Sequence, residues 1–270
     1  MPATPFDMIA KNYDTDFTNS AIGKLQRSKV WACLEPLLNE RQRPLNILEI
    51  NCGTGQDALQ LAGIGHSVVA TDASPAMIVI AKEKLQEQHP GIAQQLQFIV
   101  CPFASLHEKL APQKFDLVLS NFGGLNCISK KEIIELGQQL FSLLNEKGRL
   151  VVTVMGNCCL WEMIHYCSRA KFGTAFRRLK KTIDFSAGGQ SMPVYYYPPG
   201  TLQNLLSPEF VLQQHLPVGL FIPPSYLENK FLNKPRHLAR LNRWEEKFSH
   251  PSLSCLADHY CSIFEKNGMA

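Results

Sequence analysis

The sequence lacks the features that mark membrane-spanning, secreted and disulfide-bonded proteins. Among its 270 residues, no stretch approaches the roughly 18 consecutive apolar residues that a membrane-spanning helix requires. The first residues, MPATPFDMIAKNYDTD, contain no basic region followed by an apolar one and do not resemble a secretory signal. The nine cysteines include no C-x-x-C pair, which favours reduced thiols and no metal site. We therefore expect a cytoplasmic protein.

Strong charge is also missing. Lysine and arginine give a net charge of only +4, and charged residues make up 19% of the chain. Proteins that bind nucleic acid usually have a stronger and more clustered basic excess, so the composition does not argue for such a partner. Hydrophobic residues make up 45% of the chain, and the length suits one large α/β unit. We expect a single domain over residues 1–270.

What the chain does contain is an alternation of strand-like and helical patterns. Helical patterns separate five apolar runs: LNILEI, HSVVATD, LQFIVC, KFDLVLSNF and GRLVVTVMG. Strands that are apolar along their whole length indicate a parallel sheet covered on both faces. Two later strand-like segments, EFVLQQHLPVGLFI and ADHYCSIFEK, are joined by a long connection. We therefore expect an α/β fold whose sheet ends in an antiparallel pair.

Two regions lie outside this alternation. Residues 1–43 have the spacing of helices, and residues 157–200 interrupt the pattern after the fifth apolar run. The second region combines a predicted helical stretch over residues 158–181 with the segment MPVYYYPPG and is rich in aromatic residues. We interpret it as a cap that is inserted after the fifth strand and covers a substrate pocket.

The stretch NILEINCGTGQDALQLA predicts a nucleotide-type cofactor site. A strand leads through Gly53 and Gly55 into a helix. Glycine permits positive φ and close approach of a ligand, and the helix amino terminus offers free N–H groups. Asp72, at the end of the next strand, lies 17 residues after Gly55. A carboxylate at this place can accept both hydroxyls of an adenosine ribose.

Residues 53–58 also fit the dinucleotide fingerprint G-x-G-x-x-A, so an NAD(P)-dependent oxidoreductase is an alternative. Tyr226 and Lys230 have the spacing of a short-chain reductase dyad, but they lie late in the chain, and we interpret them as a chance match. The antiparallel end of the predicted sheet also opposes a dinucleotide fold, which would continue with parallel units.

The segments ILEINCGTG and FDLVLSNFG, with Asp72 between them, resemble class I S-adenosylmethionine-dependent methyltransferases. The opening FDMIAKNYDTDF is similar to that of the subgroup that includes the ubiquinone and menaquinone biosynthesis methyltransferases. The resemblance covers residues 6–156. It implies a Rossmann-like, seven-stranded, mostly parallel sheet with helices on both faces and an antiparallel last strand. It also implies S-adenosyl-L-methionine as cofactor, S-adenosyl-L-homocysteine as product, and residues 1–43 as helices over the cofactor site.

The resemblance implies the residues that hold the cofactor. Glu49 would face the methionine amino group or order the turn, and Asp72 would hold the ribose. Tyr13 would close over the cofactor, with simple packing in its helix as the alternative. The remaining implied contacts are Gly53 and Gly55 in the turn, Ala73 after the second strand, Phe103 and Ala104 after the third, and Ser120 and Asn121 at the end of the fourth.

Two positions depart from the family pattern. Asn51 occupies the first glycine of the motif. Asparagine tolerates the left-handed conformation, and its side chain is expected to bond either the local backbone or the amino-acid end of the cofactor. Pro102 stands where the family has an acid near the adenine amino group. We expect Phe103 to pack on the adenine ring instead.

The substrate is predicted from the cap. Methyl transfer needs an aligned acceptor more than a dedicated base. His165 is the candidate base, with a packed cap residue or no base at all as the alternative. The aromatic cap favours an apolar or aromatic small molecule, methylated on O, N or C. The expected substrate-pocket residues are Trp161, Tyr166, Tyr195 and Tyr197.

Two basic clusters leave further partners open. One contains Arg177, Arg178, Lys180 and Lys181, and the other lies on a predicted amphipathic helix over residues 230–247. A solvated helix face is the simplest interpretation. The alternatives are a membrane surface that holds a lipid-like substrate, an acidic carrier-bound substrate, or RNA, which would make the chain an RNA-modifying methyltransferase.

Overall fold

A computed structural model describes residues 4–231 and 234–268 of the chain. Its strands are β1 (Asn46–Ile50), β2 (Ser67–Asp72), β3 (Leu96–Val100), β4 (Phe115–Ser120), β5 (Leu144–Met155), β6 (Ile183–Ala187), β7 (Gln190–Val194), β8 (Phe210–Val218) and β9 (His259–Lys266). Seven of these strands form one sheet in the order β3-β2-β1-β4-β5-β9-β8, and β6 and β7 form a separate hairpin. In the large sheet β9 is antiparallel to both of its neighbours, while the other pairs are parallel. The predicted sheet is confirmed.

Helices cover both faces of this sheet, as predicted. They are α1 (Pro5–Tyr13), α2 (Ala21–Glu40), α3 (Gln56–Gly63), α4 (Pro75–Gln88), α5 (Leu106–Leu110), α6 (Lys130–Leu143), α7 (Leu160–Cys167), α8 (Phe172–Ala175), α9 (Pro199–Leu206) and α10 (Pro235–Phe248). Within the described ranges, no helix combines the length and the apolar character needed to cross a bilayer.

The core is divided by the sheet into two layers. Ile47 of β1 and Leu117 of β4 pack with residues of α2, α3 and α4 on one face. Leu48 and Val118, the next residues along the same strands, pack with α6 and α9 on the other face. Successive strand residues point to opposite faces, and each large apolar side chain that is buried contributes about 1.5–3 kcal/mol. Continuous apolar strands are therefore needed for two covered faces.

The strand order places a crevice at the carboxyl end of β1. The chain winds outward from β1 to β2 and β3, and then crosses back to β4 on the other side of β1. The loops after β1 and β4 thus leave the sheet in opposite directions. In open α/β sheets such a reversal is where ligands bind. The glycine turn and the segment SNFGGLN meet at this point.

The structure corrects the prediction for the cap. The helical stretch expected over residues 158–181 is broken into short pieces: α7 ends at Cys167, and Ala170 has a left-handed φ of 54°. A short α8 follows, and then the β6–β7 hairpin, which the sequence analysis did not predict. Gly188 and Gly189 turn this hairpin with φ of 55° and 79°. A Gly-Gly pair between strand-like segments is a hairpin signal, so the sequence contained the information.

The strand expected to continue to residue 222 ends at Val218 because the next four backbone N–H groups bind a buried carboxylate. Glu245 of α10 accepts from Gly219 at 2.8 Å and Leu220 at 3.2 Å through Oε1. It accepts from Phe221 at 2.6 Å and Ile222 at 3.1 Å through Oε2. The carboxylate therefore connects α10 to the loop after β8.

We expect Glu245→Gln to lower the free energy of unfolding by about 2–3 kcal/mol, because an amide offers one acceptor oxygen where the carboxylate offers two charged ones. Chemical denaturation measures the change. Glu246→Gln is the matched control, since Glu246 is the next residue on α10 but is exposed and pairs with Lys29 at the surface. Equal effects of the two substitutions would contradict this role of Glu245.

Candidate functional site

The turn after β1 is built from left-handed residues. Asn51, Gly53 and Gly55 have φ of 54°, 54° and 78°, a region that glycine enters freely and asparagine at modest cost. The Asn51 amide group donates to the backbone carbonyl of Asn121 at 2.7 Å, and its Oδ1 accepts from the Ser120 hydroxyl at 2.6 Å. The side chain at the unusual position therefore binds the end of β4.

Asp72, the last residue of β2, faces the same turn. Its Oδ2 accepts from the backbone N–H of Gly53 at 2.9 Å, and its Oδ1 accepts from that of Ser74 at 2.8 Å. Burial raises the pKa of Asp72, and these two donors partly oppose the rise. Each carboxylate oxygen can accept a second hydrogen bond. Asp72 therefore keeps acceptor capacity towards the cavity that it lines.

Two carboxylates, those of Asp7 and Asp14, connect the amino-terminal residues to the glycine turn and its neighbours. Asp7 of α1 accepts a hydrogen bond from the Ser74 hydroxyl. Asp14, just after α1, accepts from the Thr54 hydroxyl at 2.6 Å and from Lys84 Nζ at 2.8 Å. Helix α1 and Asp14, which together form the amino-terminal cover, thus contact the glycine turn, the loop after β2 and helix α4. These contacts place α1 beside the glycine turn, and its role over a cofactor stays a prediction.

Tyr13, at the end of α1, fits both environments expected for it, because it packs against a neighbouring ring and also faces the cavity. Its ring packs against Phe17, with centroids 5.8 Å apart, and it also lines the cavity. A Cβ atom added to Gly53 would lie 3.7 Å from the Tyr13 ring. Burial raises the pKa of Tyr13 to about 12, so the phenol is neutral at physiological pH.

A cavity of about 280 Å³ opens beneath this cover. The predicted cofactor residues that line it are Tyr13, Asn51, Gly53, Asp72, Ala73, Phe103 and Ala104. It also has apolar lining residues that the sequence analysis did not identify: Phe6, Phe122, Cys127, Ile128 and Met192. Among the described residues that line the cavity there is no lysine, arginine or histidine. Its carboxylates are those of Asp72, Glu132 and Glu135.

Two of the remaining predicted cofactor residues, Gly55 and Ser120, contact other parts of the protein. A Cβ added to Gly55 would lie 2.6 Å from the ring of Phe98, so glycine is required there by β3 as well as by its φ. Ser120 is fully buried and bonds the side chain of Asn51. Neither residue lines the cavity, and a direct contact of either one with a cofactor stays a prediction.

The last two predicted residues, Glu49 and Asn121, line a small polar chamber of about 20 Å³ beside the cavity. Arg27 and Asp57, which form a buried ion pair, line it as well. Four side-chain polar atoms here have no hydrogen-bond partner among the described residues: Thr18 Oγ1, Glu49 Oε2, Arg27 Nε and Asn121 Oδ1. Buried polar atoms usually have hydrogen-bond partners. The chamber can therefore bind one group that donates hydrogen bonds and one group that accepts them.

The pKa values of the two acids in the chamber, Glu49 and Asp57, are shifted in opposite directions. Burial raises the pKa of Glu49 well above its ordinary value, and the neighbouring Asp57 raises it further. Burial alone would also raise the pKa of Asp57, but Arg27 and donors from Trp31 and Asn121 hold it below its ordinary value. Trp31 Nε1 donates to Asp57 at 2.8 Å and Asn121 Nδ2 donates at 2.9 Å. Glu49 therefore holds its proton to a higher pH than Asp57 does.

The candidate base lies elsewhere. His165 is on α7, half-buried, and does not line the cavity. Its ring nitrogens lie 2.7 and 3.1 Å from Lys230 Nζ, and Nδ1 lies 3.2 Å from Arg169. Helix α7 faces this way because Glu162 on its inner side pairs with the buried Arg178. The structure does not bring His165 to the predicted cofactor residues.

The four predicted substrate-pocket residues do not line the cavity either. Trp161 donates to a backbone carbonyl at 2.9 Å, and Tyr166 packs on the ring of His165. Tyr195 and Tyr197 stack on each other with ring centroids 6.2 Å apart, and Tyr197 is fully buried in the core. From the cap region it is Met192, on the hairpin, that reaches the cavity. The substrate roles of the four residues stay predictions.

Comparison with known proteins confirms the predicted resemblance. Residues 47–148 match the family described as Methyltransferase domain. The tRNA 5-carboxymethoxyuridine methyltransferase of Escherichia coli (strain K12) is 32% identical over 97 residues, which are 36% of each chain. The demethylmenaquinone methyltransferase of Clavibacter sepedonicus is 26% identical over 149 residues, 54% of this chain and 55% of that one. The chain thus spans about a third to a half of these curated relatives.

A solved structure extends the likeness of fold to most of the chain. The magnesium protoporphyrin IX methyltransferase from Synechocystis PCC 6803, with bound S-adenosylhomocysteine, superposes with a TM-score of 0.56 at 16% identity. The match covers 91% of this chain and 85% of that one. The predicted Rossmann-like methyltransferase fold is confirmed.

The Asn51 side chain dictates the residue at position 124. A Cβ added to Gly124 would lie 2.2 Å from Asn51 Cγ and 2.4 Å from its Oδ1. We therefore expect Gly124→Ala to lower the free energy of unfolding by about 1–3 kcal/mol through overpacking. Asn51→Gly in the same chain removes the clashing atoms, and denaturation of the double variant should show most of the loss restored. Strictly additive losses would contradict this direct contact.

Proposed function

We propose that the chain is a methyltransferase that uses S-adenosyl-L-methionine and acts on a largely apolar or aromatic small molecule. The observation that carries the proposal is the pairing of two sites around one glycine turn. The cavity has the acid at the end of β2, and the adjoining chamber has unpartnered polar atoms. Tyr13, Asn51, Gly53 and Phe122 line both.

The residues present suit this cofactor. Asp72 has free acceptor capacity for ribose hydroxyls, and Phe103 and Ala104 provide an apolar wall for the adenine. In the chamber, Glu49 and Asn121 offer oxygen acceptors for an ammonium group, and Arg27 Nε offers a donor for a carboxylate. When bound, S-adenosyl-L-methionine supplies an electrophilic methyl group on a positively charged sulfur.

The chain's own residues shape the reaction space. Phe122 and Tyr13 cover the boundary between the cavity and the chamber, and excluding water favours displacement at a charged centre. Burial raises the pKa of the Cys127 thiol to about 12. The thiol therefore stays protonated and does not compete with the substrate for the methyl group. Orientation of the acceptor is the main contribution left to the protein.

The substrate class follows from the lining of the cavity. Phe6, Ile128 and Met192 are apolar, and the described lining residues include no cation that would pair with a phosphate. An apolar or aromatic acceptor fits such a surface better than a phosphorylated one. The demethylmenaquinone methyltransferase among the relatives is consistent with this choice.

An RNA-modifying methyltransferase is the second candidate, which the identity to a tRNA methyltransferase favours. The cavity opposes it, since RNA brings phosphates to the site. The first basic cluster is also smaller than the sequence suggested. Arg178 is buried between Glu162 and Asp258, with ion-pair distances of 2.8 and 2.6 Å, and is not available to a polyanion.

Calorimetric titration with S-adenosylhomocysteine tests the cofactor. We expect binding, with NADH unable to compete, and we expect Asp72→Ala to weaken it by about 10- to 100-fold through loss of charged hydrogen bonds. Circular dichroism shows whether the variant is folded, because Asp72 also bonds the turn. Displacement of S-adenosylhomocysteine by NADH, or binding of NADH alone, would favour the oxidoreductase.

The raised pKa of Glu49 predicts that a proton is released when the cofactor binds. Because the pKa of its carboxyl group is raised in the folded protein, Glu49 holds its proton to a higher pH, and an ammonium group beside it favours ionisation. Binding therefore releases a proton, and affinity should rise with pH until pH exceeds the raised pKa. Titration in buffers of different ionisation enthalpy measures the proton. Glu49→Gln should bind more weakly and release none, and an unchanged proton release would assign it to another group.

A further inference from the structure

Exposed apolar side chains are concentrated in one part of the molecule. Thirteen large hydrophobic side chains of the described residues are exposed, and eight of them lie in segments 157–182 and 225–248. All five exposed aromatic residues are in this set. The eight are Leu160, Ile164, Phe172, Phe176, Leu179, Tyr226, Trp244 and Phe248. We refer to these two segments as the basic–apolar surface, for the reason that follows.

The same segments hold most of the excess positive charge. Together they contain twelve lysine and arginine residues and four glutamates, a net charge of +8, whereas the rest of the chain has a net charge of −4. All four glutamates bind groups of the protein itself. Glu162 pairs with two arginines, and Glu228 accepts from two amides at the start of α2. Glu245 binds the loop after β8, and Glu246 pairs with Lys29. The outward charge is therefore positive.

Contacts between the segments make the surface continuous. His165 of α7 lies 2.7 Å from Lys230. Trp161 of the same helix donates to the carbonyl of Phe221 at 2.9 Å, and the Phe221 ring packs against Trp244 of α10 with centroids 6.2 Å apart. Helices α7 and α10 thus both contact the loop after β8 through Phe221. The surface leads directly into the hairpin that reaches the cavity through Met192.

We propose that the basic–apolar surface docks on an anionic phospholipid bilayer. Lysine and arginine attract anionic headgroups, and exposed tryptophan and phenylalanine insert at the interface between headgroups and acyl chains. The aliphatic members favour a bilayer over RNA. Ile164 and Leu179 are 59% and 62% exposed, and RNA offers them no apolar medium, whereas it would favour aromatic residues for stacking.

Co-sedimentation of the full chain with vesicles tests the proposal. We expect binding to vesicles of phosphatidylcholine mixed with phosphatidylglycerol, weaker binding to phosphatidylcholine alone, and a decrease with added salt. The double variant Arg236→Gln and Arg243→Gln should lower partitioning about tenfold. Phe172→Ser with Trp244→Ser should lower it as well. This measurement needs neither cofactor nor methyl transfer, so its result is independent of the proposed function.

Matched controls come from other surfaces. Lys82→Gln with Lys109→Gln removes the same charge, and Ile64→Ser with Val211→Ser removes exposed apolar side chains of similar exposure. Both control variants should bind vesicles as the unsubstituted chain does. Absence of vesicle binding at low salt, or equal losses in the controls, would overturn the proposal. Tighter, salt-sensitive binding to a tRNA-sized RNA that the Arg236 and Arg243 changes abolish would also overturn it and assign the surface to RNA.

Discussion

The site depends on a five-residue turn that other elements hold in place. Asn51, Gly53 and Gly55 all have positive φ. Glycine adopts this conformation freely and asparagine at a modest cost, so neighbouring contacts decide which shape the turn takes. Asp72 binds the N–H of Gly53, and the end of β4 binds the side chain of Asn51. The ring of Phe98 packs where a side chain at position 55 would lie. Strands on both sides of β1 thus shape the turn, and the turn in turn shapes the cavity and the chamber.

Carboxylates make several of the contacts between distant segments of this chain. Asp7 and Asp14 attach the amino-terminal cover, Glu245 attaches α10 to the loop after β8, and Asp258 holds Arg178 of the cap. Each of them binds several donors, which is what makes a buried charge tolerable. The periphery is therefore connected to the sheet by ionic and hydrogen-bonded contacts, while the sheet itself is held by apolar packing.

The cavity and the basic–apolar surface carry charges of opposite sign. The described lining of the cavity has carboxylates and no basic side chain, and the basic–apolar surface has an excess of positive charge. This separation permits an apolar substrate in the cavity and an anionic partner at the surface, because different residues line the two places.

The sequence alone determined the parallel sheet, the left-handed turn at Asn51 and the acid Asp72, because each depends on residues close together in the chain. Tertiary structure decided the pairing of Arg27 with Asp57, the need for glycine at position 124 and the placement of His165 outside the cavity. These depend on how the chain returns from β3 to β4 across β1, and on which side of the sheet the cap packs. Local periodicity does not contain that information, since contacts between distant segments are selected by the packing of the whole core.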